Sequence, residues 1–235
     1  MNVNAKYELL KTIVGSHAHG LATPESDIDY RGVFITPTSK LLALGPKPHT
    51  SSWIEGTEDH TSYEIGHFLF LATKSNPSIL EVFRSPVQST GYVPIWQLRL
   101  LDLFPYVWSS IGVYDAFRGY GRNQRTKMID NKDHRYHKYA VAWLRTLYNA
   151  TELLRTGDFS MSVVNTPVEH VLRRWKAAKS AIGDPGQILT AGEVVDTCAL
   201  WEESVTMAYE ANQHKETDVG PVNEYLLDLR KAFWV

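Results

Sequence analysis

The stretch from Asp27 to Ile35 alternates in the manner of a strand whose successive side chains point to opposite faces, which puts Asp27, Asp29 and Arg31 on one face. Upstream, Lys11 to Val14, with its β-branched Thr12, Ile13 and Val14, reads as a short buried strand closed by a Gly15-Ser16 turn. Asp59 to Tyr63 gives another short strand. A short helix over Thr38 to Leu44 is followed by the breaker Gly45-Pro46-Lys47-Pro48 and a polar loop through Trp53 and Gly56. The period then changes to that of helices. Ile65 to Lys74 and Ser78 to Phe83 lie on either side of Asn76-Pro77, Pro86 to Tyr92 is a connector, and Ile95 to Phe104 is helical again. Beyond Ser110 the pattern is almost wholly helical, with helices over Lys138 to Arg155 (stopped by Gly157), Pro167 to Ile182, Ala191 to Ala211 and Pro221 to Phe233. The chain divides into a small α/β part over residues 1–108, a mixed sheet with flanking helices, and a helical part over 109–235.

The chemistry concentrates in the first part. At Gly15-Ser16 the absent Cβ lets a phosphate meet bare backbone, the serine adds a hydroxyl donor, and a helix starting near His17 would favour an anion; the competing reading is a plain turn. Two aspartates on one strand face, about 7 Å apart, repel each other unless a cation or water lies between them. Mg²⁺ accounts for Asp27 and Asp29, because it binds few carboxylates plus substrate phosphates, and two such ions can clamp an in-line displacement. A polar edge strand is the alternative.

Gly15-Ser16 followed by Asp27-Ile28-Asp29 resembles the signature of the polymerase-β-like nucleotidyltransferase superfamily. The longer run, through Gly20-Leu21-Ala22-Thr23-Pro24 to Ser26-Asp27-Ile28-Asp29-Tyr30-Arg31-Gly32, is similar to the branch associated with RNA ligases in RNA repair. Tyr63-Glu64-Ile65, Asn76-Pro77, Leu80-Glu81, Gly119-Tyr120 with Gln124, and Leu153-Leu154 with Thr156-Gly157 extend the similarity over most of the chain. The resemblance implies a nucleotidyltransferase that moves an NMP from an NTP to a hydroxyl acceptor, an RNA end, with release of pyrophosphate and with two Mg²⁺ or Mn²⁺ ions as cofactors. Gly15, Ser16, His17 and Arg31 would face the nucleotide. Asp27 and Asp29 would be joined by a third carboxylate, Asp59 in preference to Glu64, which stands where a helix begins and suits a helix N-terminus. The same motifs fit an inactive nucleotide-sensing or RNA-binding module and a protein-modifying, toxin-like nucleotidyltransferase.

Composition narrows this only a little. Over 235 residues, 43% hydrophobic and 11% aromatic residues support a core, and a net charge of −2 excludes a generally basic nucleic-acid binder. A local basic face remains: Arg118, Arg122 and Arg125 recur at helical spacing, with Lys127, Lys132, Arg135 and Lys138 beyond them, and form either a phosphate-binding face or a solvated face paired with Asp130 and Asp133. The lone Cys198 excludes an internal disulfide and a cysteine-rich zinc site, and reads as a buried helix residue. The histidines, including the His134 and His137 pair, lack zinc spacing. Gly183 and Gly186 do not form a dinucleotide fingerprint, and Trp143, Trp175 and Trp201 are expected in the core. With no apolar run of membrane length and no leader, the expected setting is the cytoplasm. The oligomeric state is not legible.

Overall fold

Strand β1 (Glu8–Val14) pairs antiparallel with β2 (Ile28–Phe34), β2 pairs parallel with β4 (Glu58–Glu64), and β4 pairs antiparallel with β3 (Thr50–Glu55), giving the order β1-β2-β4-β3. The structure, a computed structural model, describes residues 7–47, 49–55, 58–88, 94–178 and 189–234. Gly56, the connector beyond Gln88, the end of the helix predicted over 167–182, and Gly183 with Gly186 lie outside the described residues. The mixed sheet with flanking helices is the one the alternation predicts. The polar loop expected through Trp53 is instead strand β3: its run of threonine and serine hides the period, but its backbone pairs with β4 from Thr50↔Tyr63 to Glu55↔Glu58. On the far side of the sheet, the free edge of β1 is closed by the segment after Ser85. The Ile13 amide donates to the Pro86 carbonyl at 3.0 Å and the Gln88 amide to Lys11 at 2.9 Å, so that edge offers few open groups for pairing.

Two compact units emerge, one of residues 1–108 with 217–235 and the other of 109–216. In the first, a four-residue α1 (Gly15–Ala18) follows β1, and α2 (Thr38–Leu42) follows β2. After β4 come α3 (Ile65–Ala72), α4 (Pro77–Arg84) and α5 (Ile95–Leu101). Asn76 caps α4, accepting from the Ile79 amide at 3.3 Å with Pro77 at the first helical position. Val33, Phe68, Leu80, Phe83 and Phe104 are buried, and the Phe83 ring packs at a tilt against Phe68 at 5.1 Å and Phe104 at 5.8 Å. The last helix, α10 (Val219–Ala232), is capped by Asp218, whose carboxylate accepts from the Gly220 amide at 3.0 Å. It belongs to this unit and not to the helical part where the sequence division at 108/109 left it. The reason is its inner face: the Tyr225 hydroxyl donates to the Trp96 carbonyl at 3.0 Å, and Arg99 pairs with Asp228 at 3.1 Å.

The second unit is an insertion whose ends are fastened together, the Ser110 amide donating to the His214 carbonyl at 2.7 Å. It holds α6 (Ser110–Asp130), α7 (Tyr136–Thr156), α8 (Glu169–Ala177) and α9 (Ala191–Ala211). Helix α7 runs through the middle: its residues from Trp143 to Thr151 are all buried, and it packs on α6, α8 and α9. Gly121 makes room for that packing, since a Cβ there would sit 2.9 Å from the Trp143 ring. Trp143, Trp175 and Cys198 are core residues as expected, whereas Trp201 is only half-buried and meets Tyr148 edge-on at 5.4 Å. Burial pushes the Cys198 thiol well up. Gly157 ends α7 in the left-handed conformation its position suggests, with φ of 80°.

Candidate active site

Asp29 pairs across the sheet with Val14 of β1 on one side and with Asp59 of β4 on the other. In-register neighbours on adjacent strands lie about 4.8 Å apart with side chains on the same face. Asp29 and Asp59 therefore form a carboxylate pair on one face, Asp29 half-buried and Asp59 exposed. Asp27 stands immediately before β2 and is exposed. Gly15 closes the site from β1. Its φ is +65°, and a Cβ built there would run into the Asp29 carboxylate and lie 3.2 Å from its Cγ, so only glycine lets this backbone lie against the acid.

Among the described residues no three His, Cys, Asp or Glu side chains are gathered as a ready metal group. The donor chemistry still suits magnesium: hard carboxylate oxygens, exposed at Asp27 and Asp59, beside bare backbone at Gly15. Asp27, Asp29 and Asp59 are the residues that would hold such an ion.

The other predicted site residues divide. Ser16 follows Gly15 within α1, which begins at Gly15 and is too short to carry much of a helix dipole, so any phosphate contact there falls to the hydroxyl and the open backbone. His17 meets the Ser26 carbonyl through Nε2 at 3.2 Å, and Ser26 in turn accepts from the Thr23 amide at 2.9 Å; together they brace the loop that delivers Asp27. Arg31 shares the Asp29 face, half-buried, and donates to the Tyr30 carbonyl at 2.9 Å. Glu64 is turned away: an odd number of positions separates it from Asp59, so the two face opposite sides of β4. It is buried, caps α3 by accepting from the Gly66 amide at 2.7 Å, and pairs with Arg230 of α10 at 2.8 Å. Arg118, Arg122 and Arg125 belong to the second unit, on α6, where Arg118 lies over the Tyr114 ring at 4.5 Å and the other two are exposed.

The face of the sheet behind the carboxylates carries a group that the sequence reading passed over. His60 stacks on Tyr30 with centroids 4.8 Å apart and planes 16° from parallel; Lys11 Nζ lies 4.2 Å from the Tyr30 ring, and Glu58 meets His60 Nε2 at 3.0 Å. Near the start of β1, desolvation pushes the Glu8 carboxyl above its ordinary range, against the lowering pull of Lys11 and His60. The alternation that set Asp29 and Asp59 on one face implied that Tyr30 and His60 shared the other. That signal needed the β2–β4 register to become visible.

A model of the RNA repair pathway DNA polymerase beta family matches residues 5–174. Over 130 residues the chain is 31% identical to an uncharacterized 38.9 kDa protein from the nrdC–mobD intergenic region of Enterobacteria phage T4, an alignment covering 51% of this chain and 38% of the phage protein. The chain thus spans well under half the length of that relative. A crystal structure of a nucleotidyltransferase-like protein from Exiguobacterium sibiricum aligns with 96% of this chain and 74% of its own at 8% identity, with a TM-score of 0.25, a likeness too slight to bear on the fold. The family match extends from β1 into α8 and takes in Gly15, Asp27, Asp29 and Asp59: the chain belongs to the RNA repair pathway DNA polymerase beta family.

Proposed function

We propose that this chain is a metal-dependent nucleotidyltransferase that transfers an NMP from an NTP to a hydroxyl of an RNA end, releasing pyrophosphate. The observation that carries the reading is the in-register pair Asp29 and Asp59 with the Gly15 backbone against it. Magnesium held by Asp27, Asp29 and Asp59 supplies positive charge against the triphosphate when bound. Gly15 gives the phosphates close access to backbone, the Ser16 hydroxyl donates to them, and Arg31 on the same face adds a guanidinium. His17 keeps the Asp27 loop in place through Ser26. The acceptor oxygen forms a bond to the α-phosphorus as the bond from that phosphorus to the bridging oxygen breaks; pyrophosphate carries away the electron pair, and a carboxylate of the site takes the acceptor proton. Alignment does most of the work, since the protein forms no covalent bond to the nucleotide.

In this reading the first unit carries the transfer site, and the second carries a face for an RNA backbone. Arg122 and Arg125 support the latter role, being exposed and without an ion pair among the described residues, one turn apart on the face that also carries Arg118. The test is pyrophosphate release from each of the four NTPs, with and without RNA bearing 3′-hydroxyl ends. Release that depends on RNA and Mg²⁺ and disappears in Asp27→Asn and Asp29→Asn is the expected result. Wild-type turnover in both folded variants overturns the assignment.

A further inference from the structure

Strands β2 and β4 run parallel, and the chain between them, residues 35–57, passes through α2 and β3. No tight turn fixes their register as a hairpin turn would. A slip of one residue sends Asp59 to the opposite face from Asp29, and a slip of two keeps the face but separates them by about 6.6 Å along the strand. The candidate active site exists only at zero offset.

We infer that the ring stack behind the sheet sets this offset, making Tyr30, His60 and Lys11 positioning residues for the carboxylates. Tyr30 directly follows Asp29, and His60 directly follows Asp59. Their centroid separation of 4.8 Å equals the strand spacing of about 4.8 Å, so the two rings lie face to face only when Asp29 and Asp59 are also abreast. Lys11 brings in the third strand: its ammonium lies 4.2 Å from the Tyr30 ring, and β1 ends at Val14, beside Gly15. Glu58 holds the His60 ring by its Nε2 at 3.0 Å, and His60 is buried, so the ring is not free to swing away. Tyr30 is the middle member, with β1 and β4 on either side of its strand. One stack thus laces together the three strands that carry Gly15, Asp29 and Asp59, on the side away from the nucleotide.

The inference rests on the proposed metal-holding role of Asp29 and Asp59. Its test reads metal binding and strand pairing separately. Mn²⁺ binding, followed by electron paramagnetic resonance without nucleotide, should weaken by about tenfold in His60→Leu, the low end of what partners behind metal ligands contribute. It should stay within about threefold of wild type in His60→Phe, which keeps a ring, and vanish in Asp29→Asn. In the same samples, backbone amides joining β2 to β4 should exchange faster in His60→Leu than in His60→Phe, while those within α7 do not change. Lys11→Met, at a half-exposed site, repeats both measurements if His60→Leu fails to fold, with a smaller loss in the same direction. Folded His60→Leu that binds Mn²⁺ and protects those amides like wild type overturns the inference. Wild-type protein that binds no Mn²⁺ instead removes the metal reading, and the exchange comparison alone then decides the role of the stack.

Discussion

Replacing Arg230 with methionine strips the first unit of the contact that holds its last helix to the sheet. The guanidinium meets Glu64 Oε1 at 2.8 Å and Oε2 at 2.9 Å, and donates to the Thr36 carbonyl at 3.1 Å; the two side chains are only 13% and 5% exposed. Removing one partner of a buried pair strands the other charge, at a cost of about 3–5 kcal/mol. Glu64 would keep its bonds from the Gly66 amide at 2.7 Å and the Thr36 amide at 3.2 Å, which places the loss near the lower figure, about 3 kcal/mol. For a chain of this size each kcal/mol moves the midpoint by about 2–4 °C, so the melting transition should fall by roughly 6–12 °C. Thermal unfolding by circular dichroism, with urea titration for the free energy, measures it. Glu64→Gln supplies the control: with the carboxylate's charge gone, Arg230→Met should cost at least about 1 kcal/mol less than it does in wild type. A drop under 2 °C, or strict additivity of the two changes, would refute the reasoning.

Gly15→Ala forces a Cβ into the Asp29 carboxylate at a left-handed backbone position, and should reduce turnover at least about 100-fold while the far-ultraviolet spectrum holds. Normal kcat in that variant would show that the close approach is dispensable. Changing Arg118, Arg122 and Arg125 together to glutamine should weaken RNA binding and flatten the plot of log K against log salt by about 2, since each single-strand phosphate contact contributes about 0.7 to the slope; an unchanged slope places the RNA elsewhere. Tyr139 donates to Asp133 at 2.5 Å, and this hydrogen bond leads the causes that hold the Asp133 carboxyl below its ordinary value. The resulting stability is present above the unfolded carboxyl's pKa and is lost as pH falls through the folded one. Tyr139→Phe should bring the Asp133 titration back up, as read by carboxyl carbon NMR, and no movement would discount the bond.

The carboxylate pair was legible because a period of two is a property of the chain itself: once Asp27 to Ile35 is a strand, Asp29 faces a known way, while Glu64 ranks below Asp59 because it stands where a helix begins, and it does cap α3. What escaped depends on partners remote in sequence. Strand β3 is an edge strand of hydroxyl residues whose pairing, not its pattern, defines it. The periodicity of α10 announces a helix but not which unit it serves; that is decided by Tyr225 reaching Trp96 and Arg230 reaching Glu64, contacts across 129 and 166 residues. Tyr30 and His60 likewise acquire meaning only from the β2–β4 register. Burial of Glu64 was hidden for the same reason, since its neutralising guanidinium lies near the far end of the chain.

The first unit is interrupted at Trp108 and resumed only at Thr217. On the ribosome, the strands bearing Gly15, Asp29 and Asp59 leave the exit tunnel long before α10, and at about 5–20 residues per second the gap lasts on the order of ten seconds. At the end of that interval, just before α10 emerges, Glu64 still lacks Arg230 beside it, while the inserted helices already have all of their own sequence. The nascent chain therefore has its inserted unit whole before its first unit, whose packing is completed only when α10 arrives.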